Sequence, residues 1–258
     1  LTHFYYACLN FPVKSTLVLA IKAGYLKGFP GLTVDRVRRH INVDVASERG
    51  HMDQVRQGQR STKSAASSIP IVLPRNRVDS NMDPQPQQPS NERTQHVFLT
   101  VHDVTGSIAS DQTGRFPVMS NRGNSYVALF YIFDPNYIKS VPIRNRSKAE
   151  LLRAYTKVYA WLTARGYRPL LHKLDNETSR DVEAFVAAEQ VKLQYTPPDM
   201  HRTNPAERAV RTWKNHFTAG IAGIPPSFPI ANWCRLTTQS DMTLNMMRPC
   251  RLNPLLSA

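Results

Sequence analysis

Three carboxylates in the second half of the chain are placed where they could act together on a phosphodiester. Asp111 follows a short apolar strand in SIASDQTGRFPV, Asp175 ends another in LLHKLDNE, and Glu207 lies in the first turn of a long helix in NPAERAVRTWKNHF. Strand ends and helix N-termini are where ligands collect in open sheets. Converging carboxylates without soft ligands suit hard divalent ions such as Mg²⁺, and two such ions support phosphoryl transfer. These residue types therefore indicate a two-metal site.

Each carboxylate also has a purely structural explanation. Asp111 fits the turn Asp-Gln-Thr-Gly, and Asp175 fits an ordinary strand-to-loop turn. Glu207 falls at the third helical position, after Asn204 at the N-cap and Pro205 at the first position, where a capping box places a glutamate. With 19 acidic residues in the chain, some Asp, Asp, Glu set arises by chance. Spacing alone therefore leaves both explanations open.

The helix that contains Glu207 also bears cations beside it. At about 100° per residue, Glu207, Arg211 and Lys214 fall within about 60° of one another. The apolar stripe runs along a different face, at Ala206, Val210, Trp213 and Phe217. The structural explanation is an i,i+4 ion pair. The functional explanation is a metal ligand with phosphate-binding cations one and two turns later, and the sequence permits both.

A family resemblance covers about residues 97–220. The series SDQTGRFP, a strand pair, a helix, LDNE and TPPDMHRTNPAERAVRTWKNHF resembles the integrase catalytic core of retroviruses and LTR retrotransposons, closest to copia-like elements. The resemblance implies an RNase H-like fold with a catalytic, metal-binding triad at Asp111, Asp175 and Glu207. It also implies two Mg²⁺ or Mn²⁺ ions per site, and DNA contacts from Arg208, Arg211 and Lys214.

The same resemblance implies an activity and its partners. The activity is 3′-end processing and strand transfer for a mobile element, with element ends and target DNA as partners, no membrane partner, a homo-oligomeric assembly and a nuclear location. Two alternatives stay open at this point. One is a related RNase H-like transposase or nuclease, and the other is an inactive, element-derived nucleic-acid-binding domain.

The chain departs from the family in two places. Between Asp175 and Glu207 lie 31 residues, fewer than is typical, and Asn-Glu-Thr stands where the family has a glycine-rich turn. The N-terminal region loosely resembles the pre-integrase module, which binds zinc through two His and two Cys. Because Cys8, Cys234 and Cys250 lie far apart and no CxxC occurs, we expect no zinc. His3, His40 and His51 are expected to be surface or capping residues rather than ligands.

Hydrophobic periodicity predicts the elements that must position the carboxylates. Short apolar runs predict strands at 97–101, 106–109, 125–133, 138–143, 169–174 and 191–195. Helices are predicted from a capping box at Ser147 and Glu150 and over 180–190, 204–222 and 230–247. The order of the elements indicates an α/β fold, an RNase H-like mixed sheet flanked by helices and preceded by a small helical region.

Composition divides the chain and identifies its partner class. The 258 residues have 33 basic and 19 acidic side chains, a net charge of +14 and a pI near 10.0, which point to a polyanion such as nucleic acid. No apolar run approaches bilayer length, which excludes an integral membrane protein.

Composition also divides the chain into four segments. We predict a basic helical region at 1–63, a Pro/Ser/Gln-rich linker at 64–95, a catalytic core at 96–222 and a helical extension at 223–258. The polar end of the first region, at 48–63, shows no core face. Because the chain starts at Leu1, we expect a piece of a longer polypeptide.

Overall fold

A computed structural model describes residues 1–42, 44–52, 105–174, 179–196 and 204–258. The helices are α1 (Thr2–Cys8), α2 (Lys14–Lys22), α3 (Val34–His40), α4 (Val45–His51), α5 (Lys148–Thr163), α6 (Arg180–Ala188), α7 (Pro205–Ala222) and α8 (Thr237–Met246), with a 3-10 helix at Ile230–Arg235. The strands are β1 (Ser107–Gln112), β2 (Tyr126–Ile132), β3 (Tyr137–Ile143), β4 (Leu171–Leu174) and β5 (Lys192–Tyr195).

The five strands form one mixed sheet in the order β3-β2-β1-β4-β5. The first three strands are an antiparallel meander, and β4 and β5 then run parallel to β1. Strand β2 is buried on both faces, as its continuous apolar run predicts. A mixed sheet of this order, flanked by helices and preceded by a helical region, agrees with the predicted RNase H-like fold, and the predicted fold class is confirmed.

Each face of the sheet is covered by helices. One core contains Ile108, Phe130 and the inward face of α5, together with Val182 and Val186 of α6. The other contains Leu129 of β2 and Trp213 and Phe217 of α7. Because side chains alternate along a strand, neighbouring residues of β1 face different helices. This alternation decides which side chains of β1 can approach α7.

The N-terminal helices have their own apolar core, built on Leu9, Leu17, Val37 and Ile41. Helix α4 packs against α7 through Gly50, where an added Cβ would lie 2.5 Å from the Ala219 backbone nitrogen. The prediction that the polar residues after 48 lack a core face is therefore wrong for the end of α4. A glycine gives a close helix contact that hydrophobic periodicity does not register.

Most predicted elements appear within one to three residues of their expected limits, and one differs. The helix predicted at 230–247 divides into the 3-10 helix and α8, because Trp233 stacks on Phe116 with ring centroids 4.4 Å apart and donates a hydrogen bond to the Val118 carbonyl. This tertiary contact fixes a tighter turn than the sequence pattern indicates.

Several predictions concern residues outside the described ranges. They are the strand at 97–101, the linker at 64–95, the boundaries at either end of that linker, and the position of Asp175. None of the helices in the described part of the chain is both long and apolar enough to cross a membrane.

Candidate active site

Asp111 lies one residue before the end of β1 and is partly buried. Its register partner on β2 is Leu129, which belongs to the core beneath α7. The preceding residue, Ser110, contacts Tyr155 of α5 on the other face of the sheet. Alternation along β1 therefore directs the Asp111 side chain to the α7 face. One of its oxygens, Oδ1, accepts a hydrogen bond from the Gln112 backbone N–H at 2.6 Å.

The start of α7 is attached to β1 beside Asp111. Asn204 caps the helix, because its Oδ1 accepts from the Ala206 backbone N–H at 3.0 Å. The same buried side chain donates from Nδ2 to the Ser110 carbonyl at 3.3 Å. One amide thus fixes both the first turn of α7 and the strand residue that precedes Asp111. Glu207 stands in that first turn and is exposed.

The capping-box explanation of Glu207 finds no support in these contacts. In a capping box the glutamate side chain returns to the backbone N–H of the N-cap residue. Within the described ranges, the Glu207 carboxylate makes no hydrogen bond or ion pair, and Asn204 caps the helix by itself. Its oxygens are exposed and are of the hard type that Mg²⁺ and Mn²⁺ take as ligands. The residue is therefore available to a cation.

Asp175 lies outside the described residues, so the structure places two of the three predicted carboxylates. It does describe Leu174, the last residue of β4, and β4 pairs in parallel with β1. The register sets Ala109 opposite Lys173. In the described ranges no group of three or more His, Cys, Asp or Glu side chains is arranged to hold a metal ion. Asp111 and Glu207 fit a divalent ion as oxygen donors, and the set predicted from the sequence needs Asp175 as its third member.

The three predicted DNA-binding cations lie on the exposed side of α7. Arg208, Arg211 and Lys214 are exposed, whereas Trp213 and Phe217 are buried against the sheet. The carboxylate at the start of the helix and the cations along it therefore share a solvent-facing surface. This surface is adjacent to the strand that holds Asp111, through the Asn204 contact.

A buried polar network lies under Asp111 on the α5 face. His172 of β4 is fully buried and uses both ring nitrogens, Nδ1 with the Tyr159 hydroxyl at 2.9 Å and Nε2 with the Ser110 hydroxyl at 3.0 Å. The Ser110 hydroxyl also bonds the Tyr155 hydroxyl at 2.6 Å. The network joins β1, β4 and α5, so it holds the strand residue next to Asp111 against two neighbouring elements.

Burial sets the protonation states in this network. It lowers the pKa of His172 to about 3, so the imidazole is neutral near pH 7. Burial also raises the pKa of Tyr155, and the nearby Asp111 charge raises it further. Hydrophobic periodicity does not reveal this network, because Tyr155 and Tyr159 lie among the core residues of α5. The signal that identifies it is the polar pair Ser110 and His172 at inward positions of two apolar strands.

Mild acid should destabilise the fold through buried histidines. Burial lowers the pKa of both His172 and His216 to about 3, whereas an unfolded histidine binds a proton near its usual 6.5. The stabilising contribution is therefore complete above about pH 6.5 and is lost as the pH falls toward 3. The expected loss is roughly 1.4 kcal/mol per pH unit for each histidine. Urea unfolding at a series of pH values measures it.

A matched pair of variants isolates the histidine contribution from that of the carboxylates. His172→Gln keeps polar groups at the site but does not titrate, so it should flatten the dependence of unfolding free energy on pH between about pH 6.5 and 5. His40→Gln removes an exposed histidine and should leave the slope unchanged. Equal slopes for the wild-type protein and His172→Gln would contradict this assignment.

Comparisons with known proteins do not identify a family for this chain. No protein-family model matches the chain, and no curated protein matches it. One solved structure that is similar is a simian T-cell lymphotropic virus intasome in complex with the PP2A regulatory subunit B56 gamma. The identity is 13% and the TM-score 0.42, over 57% of this chain and 51% of that chain, so the match spans about half of the viral chain's length. Similarity at this level carries no argument about function, which depends on the residues themselves.

Proposed function

We propose that the chain is an integrase-type polynucleotidyl transferase of a mobile element, with Asp111, Asp175 and Glu207 as its metal ligands. The observation that carries the proposal is the hydrogen bond from Asn204 to the Ser110 carbonyl. It joins the first turn of α7, which contains Glu207, to the strand residue that precedes Asp111. Strand β4 supports it, because β4 runs parallel to β1 and ends immediately before Asp175. Leu174 belongs to the core on the α5 side, the side that Ser110, the residue before Asp111, also faces.

In this proposal the chain's own residues hold and orient the reactants. Asp111 would hold both divalent ions, and Asp175 and Glu207 would each hold one of them. Bound Mg²⁺ or Mn²⁺ would activate the attacking oxygen and stabilise the charge on the leaving oxygen. Arg208, Arg211 and Lys214 bind DNA phosphates along the exposed face of α7. The oxygen donors of Asp111 and Glu207 favour hard ions over zinc.

The proposed reaction has two phosphoryl-transfer steps at DNA. In the first, water attacks a phosphodiester near the end of the element; the new bond joins the water oxygen to phosphorus, and the bond to the 3′-oxygen breaks. That oxygen takes up a proton and becomes a free 3′-hydroxyl. In the second step, the 3′-hydroxyl loses its proton and attacks a target phosphodiester, which releases a target 3′-hydroxyl. Neither step needs an oxidant or a reductant.

A branched DNA substrate tests this function without knowledge of the element's end sequence. In such a substrate a 3′-hydroxyl already faces the phosphodiester to be attacked, so joining requires only positioned reactants and the metal site. The full chain with Mg²⁺ or Mn²⁺ should yield the joined strand, and a chelator should abolish it. Cleavage without joining would favour a nuclease, and DNA binding without either would favour the non-catalytic alternative.

A further inference from the structure

A cavity of about 620 Å³ lies at the free edge of β3, between that strand, α5 and the start of α8. It is separate from the candidate active site. Ser140, which lines it, pairs with Leu129, and Leu129 pairs with Asp111, so the two sites are two strands apart, or about 10 Å. Leu129 between them is fully buried. The cavity is therefore a distinct feature of the surface.

The cavity is strongly cationic. Its lining includes six basic side chains, Arg122, Lys139, Arg144, Arg153, Lys157 and Arg235, and a single carboxylate, that of Glu150. Glu150 pairs with Arg153 at 2.8 Å, and Lys139 pairs with the buried Asp241 at 3.0 Å. The hydrogen bond from Arg153 is the main reason that the pKa of Glu150 lies below its usual value, so this carboxylate is ionised and already used.

Four of these six cations have no ion-pair partner among the described residues. Arg122, Arg144, Lys157 and Arg235 have no carboxylate within ion-pair distance in the parts of the chain that the structure describes. Each is exposed, so the cost of leaving it unpaired in water is small. Four like charges around one concavity nevertheless raise the local concentration of anions. The lining of the cavity therefore favours an anionic ligand.

Ser140 lies in the wall of this cavity, and only 5% of the residue is exposed. Its backbone N–H donates to the buried Asp241 carboxylate, which also accepts from Lys139. Asp241 is therefore already engaged by the wall of the cavity and does not neutralise the four exposed cations.

We propose that this cavity binds a compact anion with two or more phosphate groups. The volume is that of a small-molecule site. Guanidinium groups match phosphate oxygens in pairs, which favours phosphate over a single carboxylate. Among the residues that line the cavity none is aromatic, so a nucleobase would find nothing to stack on. Recognition therefore depends on the phosphates, and inorganic tripolyphosphate and a nucleoside triphosphate should bind about equally well.

Calorimetric titration of the full chain with inorganic tripolyphosphate, in the absence of divalent ions, tests the proposal. We expect one ion bound per chain and a raised melting temperature. Arg144→Gln with Arg235→Gln should weaken binding at least about tenfold, because each substitution removes a charge-assisted hydrogen bond to phosphate. Arg180→Gln with Lys192→Gln removes the same charge from exposed positions on α6 and β5, and should leave affinity unchanged.

Three outcomes would overturn the proposal. In the first, tripolyphosphate fails to bind. In the second, the control pair weakens binding as much as the cavity pair, so the effect is one of net charge alone. In the third outcome, the cavity variants weaken DNA binding alone and leave tripolyphosphate unaffected, which would assign the cavity to a nucleic-acid surface. Because the probe contains no DNA and the assay no divalent ion, none of these outcomes depends on whether the chain transfers DNA strands.

Discussion

Replacing Glu207 with glutamine should abolish metal-dependent strand transfer and change the melting temperature of the chain by only a few degrees. Glutamine keeps the size of the side chain and accepts the same helix position, but it lacks the charge that a divalent ion requires. The Glu207 side chain is exposed, and Asn204 alone caps α7, so the lost charge removes only a weak interaction with the helix dipole. We expect strand-transfer yield to fall at least about a thousandfold, as when a major stabilising group for transition-state charge is removed.

Two further positions on the same helix provide the control. Arg211→Ala and Lys214→Ala remove cations from the exposed face and leave the three proposed metal ligands unsubstituted. They should weaken DNA binding and reduce its salt dependence by about one unit of slope per lost phosphate contact. Glu207→Gln should leave that slope unchanged. Full strand transfer by Glu207→Gln, in a preparation whose wild-type protein is active, would refute the role of Glu207.

Trp213→Ala should be among the most destabilising substitutions in the chain, at about 3–5 kcal/mol. The indole is fully buried between α7 and the sheet and stacks on Phe217 with ring centroids 4.7 Å apart. Its Nε1 donates to Asp241 Oδ1 at 2.8 Å. Asp241 is itself 1% exposed, and burial raises its pKa although Lys139 opposes this. Truncation therefore opens a cavity and also removes a donor from a buried carboxylate.

Urea unfolding of two further variants separates these contributions. Trp213→Phe keeps a ring but loses the donor, so it should cost about 1–3 kcal/mol. Trp161→Ala removes a half-buried indole at the other face of the sheet, next to Lys139, and should cost clearly less than Trp213→Ala. A loss below about 1 kcal/mol for Trp213→Ala would show that α7 is not anchored through this residue.

Local signals in the sequence predict the elements that carry the candidate site. Asn204 and Pro205 mark the start of α7, and the continuous apolar run of β2 marks a central strand. In each case one interaction, a cap or burial on both faces, determines the local structure. The same reasoning predicts a capping box at Ser147 and Glu150, of which half forms. Ser147 caps α5, whereas the Glu150 carboxylate accepts from Arg144 and Arg153.

Features that depend on distant residues could not be predicted in this way. The contact between Asn204 and Ser110 joins residues 94 positions apart, and no local pattern encodes it. The network of His172 needs β1, β4 and α5 in their final positions before its polar groups meet. The cationic cavity likewise gathers side chains from β3, α5 and the segment before α8. Tertiary structure creates these sites, and a linear pattern shows only their separate parts.

A metal titration tests the central claim most directly. Binding of Mn²⁺ to the full chain, followed by electron paramagnetic resonance in the presence of DNA, should show two ions per chain, displaced by excess Mg²⁺. Asp111→Asn should remove both ions, since Asp111 is proposed to hold both, and Asp175→Asn and Glu207→Gln should each remove one. If Mn²⁺ does not bind to the folded, DNA-bound chain, or binds equally well to all three variants, these carboxylates are not a metal site and the proposed function is wrong.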